Sequence, residues 1–323
     1  MNITPVIQNI EKAIVGKTDE IKLILAAMLA GGHVLLEDVP GTGKTVLAKA
    51  LAKSFDCSFS RIQFTPDLLP SELTGINFYS PKTGEFTFRK GGLFANIVLG
   101  DEINRATPRT QSGLLESMDE RQVSVDGTTH VLPAPYFVIA TQNPVETQGT
   151  FPLPEAQLDR FMLQLNLGYP TAEESAKILA QQITPLQLLE LQPVCAIDDL
   201  QKMQAEVKNT HIHEVIFTYI VALAEATRAH DAVLLGVSTR GMLALARLAQ
   251  AYAAISGAEF VTPQDIKHLV PCVFAHRMIL KGGVGRRAAT ALNILEDITS
   301  SVPAPVETFK ASGANYKANS PTV

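Results

Sequence analysis

Short apolar runs alternate with helical periodicity in the first half of the chain. The runs have the length and β-branched content of strands, and they lie at His33–Leu36, Phe59–Phe64, Ile97–Leu99, Tyr136–Ala140 and Met162–Leu165. Helical patterns occur between them at Thr45–Phe55 and Pro108–Asp119. This alternation predicts an α/β domain over residues 1–169, in which a parallel sheet carries helices on both faces.

The pattern changes at Pro170, after which amphipathic helices follow one another and no strand is predicted. The first of these helices starts at Thr171–Glu174, which has the spacing of a capping box. We therefore predict a smaller all-α domain over residues 170–300. Residues 301–323 are rich in Pro, Ser, Ala and Asn without an apolar period, which is typical of a flexible tail.

Two segments of alternating polarity interrupt the α/β part and predict β-hairpins near residues 76–89 and 122–131. The second turns at Asp126–Gly127, a pair that strongly favours a two-residue hairpin loop. Both hairpins can be decoration at the edge of the sheet. Alternatively, the first forms a contact surface through its aromatic residues Phe78, Tyr79 and Phe88.

Composition narrows the range of partners and compartments. A chain of 323 residues has room for two domains, and its net charge of -5 provides no overall basic field for nucleic acid or an anionic membrane. The three cysteines, Cys57, Cys195 and Cys272, are far apart, which favours reduced thiols over a metal site. The uncharged apolar run Leu23–Leu36 is too short to span a bilayer, and no signal pattern precedes it. We expect a cytoplasmic protein.

The segment His33–Thr45 combines an apolar strand, a turn with one Pro and two Gly, and the start of a helix. A nucleotide-phosphate site needs this order, because the amides of the turn and the positive end of the helix face the polyphosphate. The Lys44 side chain can reach the β- and γ-phosphates, and the Thr45 hydroxyl can ligate magnesium. Asp38 stands where the usual motif has its first Gly. An ordinary strand–turn–helix is the alternative interpretation.

Polar residues follow two other predicted strands. Asp101 and Glu102 come after an apolar run, and the carboxyl end of a parallel strand is where open α/β sheets bind ligands. Asp101 can hold magnesium through its water shell, and Glu102 can orient and polarise an attacking water. The amide of Asn143 can hold the same water, although an Asn before Pro144 is also a common turn signal.

Three long segments resemble the MoxR group of AAA+ ATPases: DEINRATPRTQSGLLESMDERQVSVDG, IATQNPVETQGTFPLPEAQLDRF and STRGMLALARLAQAYA. The resemblance covers roughly residues 4 to 300, and it includes the EDVPGTGKT form of the phosphate loop that contains Asp38. It implies a ring, commonly a hexamer, with ATP bound between neighbouring subunits and Mg²⁺ as the metal.

The resemblance also implies roles for single residues. The implied catalytic set is Lys44, Glu102, Asn143, Arg160 and Arg240. Arg160 is implied to be an arginine finger on the neighbour's nucleotide, although Asp159–Arg160 alone also fits a surface ion pair. Arg240 is implied to touch the γ-phosphate of its own subunit, and Asn143 to be the first sensor. The implied phosphate-binding residues are Pro40, Gly41, Thr42, Gly43, Lys44, Thr45 and Val46. The implied adenine contacts are Val15 and Gly16, and the metal ligands are Thr45 and Asp101.

At the level of function, the resemblance implies Mg-dependent ATP hydrolysis that drives chaperone-like remodelling or maturation of a partner complex. The partner is a client or an adaptor protein, for example one with a von Willebrand A domain, and the two hairpins resemble insertions that face the pore or partner side.

Two alternatives remain at this stage. Related branches with the same insertions include helicases and transcription activators, but the acidic balance and the lack of a DNA-binding module count against nucleic acid. The second alternative is an ATP-gated scaffold with little turnover. The presence of Glu102, Asn143 and Arg160 argues for hydrolysis instead.

Overall fold

A computed structural model of the chain describes residues 2–39, 41–82, 84–144, 149–182, 191–281 and 287–305. Pro40 of the predicted phosphate loop lies outside the described residues, as does most of the predicted tail, from residue 306 onward.

The first part of the chain folds into an α/β unit. Its helices are α1 (Thr4–Glu11), α2 (Thr18–Leu29), α3 (Lys44–Ser54), α4 (Pro70–Thr74), α5 (Pro108–Glu120) and α6 (Glu155–Leu158), with a 3₁₀ turn at Ile103–Arg105. Its strands are β1 (Val34–Glu37), β2 (Phe59–Gln63), β3 (Ile76–Ser80), β4 (Glu85–Arg89), β5 (Ile97–Asp101), β6 (Gln122–Val125), β7 (Thr128–Val131), β8 (Phe137–Gln142) and β9 (Leu163–Leu165). The predicted α/β architecture is confirmed.

Five strands form one parallel sheet in the order β2-β5-β8-β1-β9. Successive side chains of a strand point to opposite faces, and here both faces are apolar. Val34 and Leu36 pack with α1, α2 and α3 on one face, whereas Leu35 and Val98 pack in a second cluster on the other. Burial on both faces explains why these strands read as continuous apolar runs in the sequence.

The two predicted hairpins are present as β3–β4 and β6–β7. Asp126 and Gly127 both have positive φ, as a tight two-residue turn between β6 and β7 requires. The hairpins contact each other, because Asn77 Nδ2 donates to Asp126 Oδ2 at 2.8 Å and the Phe88 ring stacks on His130 at 3.7 Å.

The second part of the chain is mostly helical. Its helices are α7 (Ala172–Gln182), α8 (Ile197–Val207), α9 (Glu214–Ala229), α10 (Thr239–Ile255), α11 (Pro263–Phe274) and α12 (Arg287–Ser301). The prediction that it contains no strands is wrong, since β10 (Val233–Leu235) and β11 (Ile279–Leu280) form an antiparallel pair. Strands this short carry too few residues to show a period of two. Among the described helices, none has the length and apolarity that crossing a membrane requires.

The helical part packs on the α2 face of the α/β part through a continuous apolar core. Leu245, Leu248 and Leu269 of α10 and α11 belong to the same cluster as Ile24 and Leu25 of α2. The orientation of the second part relative to the sheet is therefore set by extensive burial of apolar surface.

His33, just before β1, is buried and neutral. Its Nδ1 accepts from the Val138 amide at 3.0 Å, so Nε2 carries the proton and donates to Met118 O at 3.0 Å. Burial is the main reason that the pKa of His33 is lowered to about 4. The folded pKa is below the unfolded value, so its contribution to stability is complete above pH 6.5 and is lost as the pH falls towards 4.

We expect His33 to make the fold acid-sensitive. Between pH 7.5 and 5.5, protonation of His33 in the unfolded chain should lower the free energy of unfolding by about 1.3 kcal/mol. Denaturant unfolding across this range measures the effect, with His33→Gln as the variant that cannot titrate. The stability of the variant should change less with pH than that of the wild type. Parallel profiles for the two proteins would show that another group is responsible.

Candidate functional site

The loop between β1 and α3 has the backbone of a phosphate cradle. Gly41 and Gly43 have φ of 87° and 89°, a region that favours glycine, and α3 begins at Lys44, directly after the loop. A Cβ on Gly41 would have no atom within 4 Å, so the space beside the loop is open. Lys44 Nζ donates to the carbonyls of Asp38 at 3.0 Å and Val39 at 3.3 Å, within reach of that space. Thr45 and Val46 lie in the first turn of the helix.

Asp38 has a structural role that explains why it replaces a glycine. Its buried carboxylate accepts from the backbone amides of Val39 at 3.2 Å, Leu167 at 2.7 Å and Gly168 at 3.2 Å. These bonds attach the phosphate loop to the segment that leaves β9 for the helical part. No local sequence pattern indicates this role, because the main partners of Asp38 lie far away along the chain.

The predicted adenine segment lies beside the phosphate loop. A Cβ on Gly43 would be 3.5 Å from Ile14 Cδ1, which places the residues just before Val15 against the loop. Gly16 has a φ of 75°, and a Cβ there would overlap the Glu174 carboxylate at 1.8 Å. The positive φ favours glycine at this position, between the α/β part and the first turn of α7, and any larger residue would also displace the Glu174 side chain. Contact of Val15 and Gly16 with adenine stays a prediction.

Asp101 ends β5 at the same edge of the sheet as the phosphate loop. It is 8% exposed, and its two carboxylate oxygens have different partners. Oδ1 accepts from Thr141 Oγ1 at 2.7 Å, while Oδ2 accepts from Arg61 Nε at 3.2 Å and Nη2 at 2.6 Å. The hydrogen bonds from Arg61 to Asp101 Oδ2 are charge-assisted, because they join a guanidinium to a carboxylate. Sequence reasoning missed both Thr141 and Arg61.

Glu102 leaves the strand in a left-handed conformation, with φ of 56° and ψ of 51°. A non-glycine residue in this region stores backbone strain, and such strain is concentrated at functional sites. The amide of Glu102 donates to Thr141 Oγ1 at 2.8 Å. Its Oε2 accepts from Gln63 Nε2 at 2.8 Å and Arg105 Nη1 at 3.0 Å, so a water that binds this oxygen competes with two donors.

Asn143 directly follows β8, which lies between β1 and β5 in the sheet. It is 5% exposed, and its carbonyl accepts from Asn104 Nδ2 at 3.4 Å. The structure therefore gathers Lys44, Thr45, Asp101, Glu102 and Asn143 at one edge of the sheet, as the sequence predicted for an open parallel α/β fold.

Arg160 and Arg240 lie at the opposite edge of the sheet, where both form ion pairs with the carboxylate of Asp119. Arg160 Nε is 3.3 Å from Asp119 Oδ2, and Arg240 Nη2 is 2.5 Å from Asp119 Oδ1. This cluster lies where the strands begin, because the Met162 amide donates to the carbonyl of His33 just before β1. The four residues of β1 alone separate the two edges by about 13 Å.

Arg240 pairs with Asp119, a position that differs from the one expected for contact with the γ-phosphate of its own subunit. Helix α10 begins against the end of α5, and the Ser238 hydroxyl that caps it also donates to Asp159 Oδ2 at 3.3 Å. The packing of the helical part on α2 fixes this placement, which no local sequence pattern encodes. Both arginines are partly exposed there, with 31% and 49% of their side chains accessible.

Comparison with known proteins agrees with this arrangement. Residues 33–163 match the ATPase family associated with various cellular activities (AAA), and residues 225–298 match the AAA lid domain. The chain is 50% identical to the uncharacterized protein YeaC of Bacillus subtilis, over 93% of this chain and 94% of that one. It is 39% identical to the chaperone MoxR1 of Mycobacterium tuberculosis, over 84% of this chain and 74% of that one.

Protein MoxR of Paracoccus denitrificans is 32% identical, over 90% of this chain and 93% of that one. The crystal structure of a candidate ATPase from Cytophaga hutchinsonii superposes with a TM-score of 0.86, at 38% identity and with 94% of each chain covered. The family matches, these relatives and the superposed structure all indicate the same family. The chain belongs to the MoxR family of AAA+ ATPases.

Proposed function

We propose that the protein is a Mg-dependent ATP hydrolase that works as a ring, commonly a hexamer, in which each active site is shared by two subunits. The split of the site residues between two edges of the sheet carries this proposal. Lys44, Glu102 and Asn143 lie at one edge, and Arg160 lies about 13 Å or more away at the other. Head-to-tail contacts between identical subunits bring opposite edges together and close into a ring.

The residues at the nucleotide edge fit phosphoryl transfer. This reaction needs positioning and positive charge around the γ-phosphate more than covalent help from the protein. Lys44 supplies charge, while Glu102 and Asn143 hold and orient the attacking water. Magnesium, when held by Thr45 and Asp101, would neutralise charge on the β- and γ-phosphates. The buried Asp101 carboxylate and the hydroxyl at the start of α3 are donors of the type that this metal prefers.

Arg240 acts beside Arg160 in this proposal. The two guanidinium groups share Asp119, so a nucleotide that approaches one meets the other as well. We therefore assign both to the site of the adjacent subunit. Two cations at the γ-phosphate stabilise the charge that spreads over its oxygens in the transition state.

In this proposal, ATP hydrolysis drives chaperone-like remodelling of a partner protein. The chaperone name of one relative supports this role. The hairpin β3–β4 offers a surface for such a partner, since Phe78 and Phe86 are 57% and 72% exposed. The Asn77–Asp126 bond and the Phe88–His130 stack join it to the second hairpin. An adaptor with a von Willebrand A domain remains a prediction from the family resemblance.

ATP turnover per subunit, measured with magnesium across a wide range of protein concentration, tests the shared site. We expect the rate to rise steeply and then to saturate, because the nucleotide of an isolated subunit has no Arg160 from a neighbour beside it. Light scattering on the same samples should show that the rate follows the fraction of assembled subunits. A full rate in samples that contain only monomers would mean that one chain completes the site.

A further inference from the structure

Arg277, in the 3₁₀ turn after α11, is a buried cation in the helical lid. Only 2% of its side chain is exposed, and Asp159 of the α/β part is its carboxylate partner at 2.7 Å. Burial lowers the pKa of Arg277, and the hydrogen bond that Arg277 donates to the Asp159 carboxylate opposes this shift. A buried arginine needs partners for all its donors, and the identity of these partners indicates what the residue does.

The donors of Arg277 bind the chain on both sides of Arg160. Nη2 donates to the carbonyl of Asp159 at 3.1 Å and to that of Phe161 at 2.5 Å. Nη1 donates to the carbonyl of Met162 at 3.1 Å, and Nε donates to the Asp159 carboxylate. A single side chain thus holds the backbone immediately before and after the proposed arginine finger.

The start of α10 packs against this contact. A Cβ on Gly241, the residue after Arg240, would be 2.9 Å from Arg277 Cδ and 2.7 Å from Val237 Cγ1. The first turn of α10 therefore has a glycine where it packs against Arg277. Ser238 Oγ donates to the second oxygen of Asp159 at 3.3 Å. Asp119 binds the guanidinium groups of Arg160 and Arg240. Arg277 binds the backbone carbonyls on either side of Arg160.

We propose that Arg277 is a positioning residue for Arg160, through which the lid of one subunit controls ATP hydrolysis in the next. This inference rests on the proposed function, in which Arg160 acts on the neighbour's nucleotide. A movement of the lid relative to the sheet pulls on the carbonyls of Asp159, Phe161 and Met162 and so displaces the finger. Among the residues that the structure describes, the hydrogen-bond partners of Arg277 include none from the nucleotide edge of the same subunit.

The conservative variant Arg277→Lys keeps the charge but loses the planar fork that reaches several carbonyls at once. A displacement of about 1 Å in a catalytic group can reduce turnover by about 10²-fold, and we expect a loss of this order in kcat. The KM for ATP should stay within about twofold, because the variant keeps its own nucleotide edge. Asp159→Asn weakens the same contact from the other side and should act in the same direction.

Mixed rings reveal which site fails. Arg277→Lys subunits are co-purified, by two different tags, with Lys44→Ala subunits, which have no working nucleotide site but an intact finger. Random order makes about a quarter of the interfaces productive, so about a quarter of the wild-type rate should return. Mixing with Arg160→Ala subunits should restore nothing, because both fingers are then defective. Asp159→Asn should give the same pattern.

The opposite pattern would overturn the proposal: recovery with Arg160→Ala and none with Lys44→Ala would place the defect in the subunit's own site. Recovery with neither partner, for both variants, would also contradict it and indicate general damage to the fold. Arg228→Lys is the matched control, since Arg228 also binds a carbonyl and a carboxylate but only within the lid. The mixture of Arg160→Ala with Lys44→Ala reports separately on the proposed function, because it leaves Arg277 unchanged.

Discussion

Replacing Arg160 with alanine should lower ATP turnover by about 10³- to 10⁵-fold, the value of an arginine finger in related phosphate-transfer systems. Arg160 is 31% exposed at the edge opposite the phosphate loop, so its removal leaves every contact of the nucleotide with its own subunit in place. ATP should therefore bind to the variant almost as tightly as to the wild type. Steady-state hydrolysis and equilibrium binding of a fluorescent ATP analogue measure the two quantities on the same preparation.

Arg247→Ala is a suitable control, because Arg247 is exposed on α10 and its loss removes the same charge. The control should hydrolyse ATP at the wild-type rate. Unchanged turnover in Arg160→Ala would remove this residue from the active site. A loss of assembly in Arg160→Ala, detected by light scattering, would instead point to a role in the contact between subunits.

The second large effect is expected for Glu102→Gln, which should bind ATP and fail to cleave it. Glutamine keeps the size of the side chain and can still accept from Gln63 and Arg105, whose donors now hold the Glu102 carboxylate at 2.8 Å and 3.0 Å. It has lost the negative charge that polarises water, and removal of a positioned base costs about 10²- to 10⁴-fold. Single-turnover measurements with excess enzyme separate this chemical step from binding and product release.

Glu214→Gln provides the matched control at an exposed position in the lid. Its rate should equal that of the wild type. Hydrolysis at the wild-type rate by Glu102→Gln would mean that another group positions the water. Weak binding of ATP by the variant would instead mean that the Glu102 carboxylate and its bonds to Gln63 and Arg105 support nucleotide binding.

The sequence predicted the sheet and its nucleotide edge well, because the information is local. Each central strand is a continuous apolar run buried on both faces, and the polar residues that matter come at the end of such runs, as Asp101 ends β5. The turn at Asp126–Gly127 was predictable for the same reason, since positive φ at both positions restricts the residue types. The two short strands β10 and β11 were missed because three and two residues show no period.

The contacts that organise the site were not predictable, because they join distant parts of the chain. Asp38 binds amides at Leu167 and Gly168, and Arg277 binds carbonyls around Arg160. The placement of Arg240 beside Arg160 depends on how α10 packs on α2, which no local pattern specifies. Family resemblance supplied the role of Arg160, whereas the edge at which it lies comes from the fold.

The most direct test of a site shared between subunits is the activity of rings that contain both Lys44→Ala and Arg160→Ala subunits. Each variant alone should be inactive, the first for lack of a phosphate-binding lysine and the second for lack of a finger. Co-purified mixed rings should recover about a quarter of the wild-type rate, because a sound nucleotide edge meets a sound Arg160 at about one interface in four. Mixed rings that assemble normally and remain inactive would contradict the shared site.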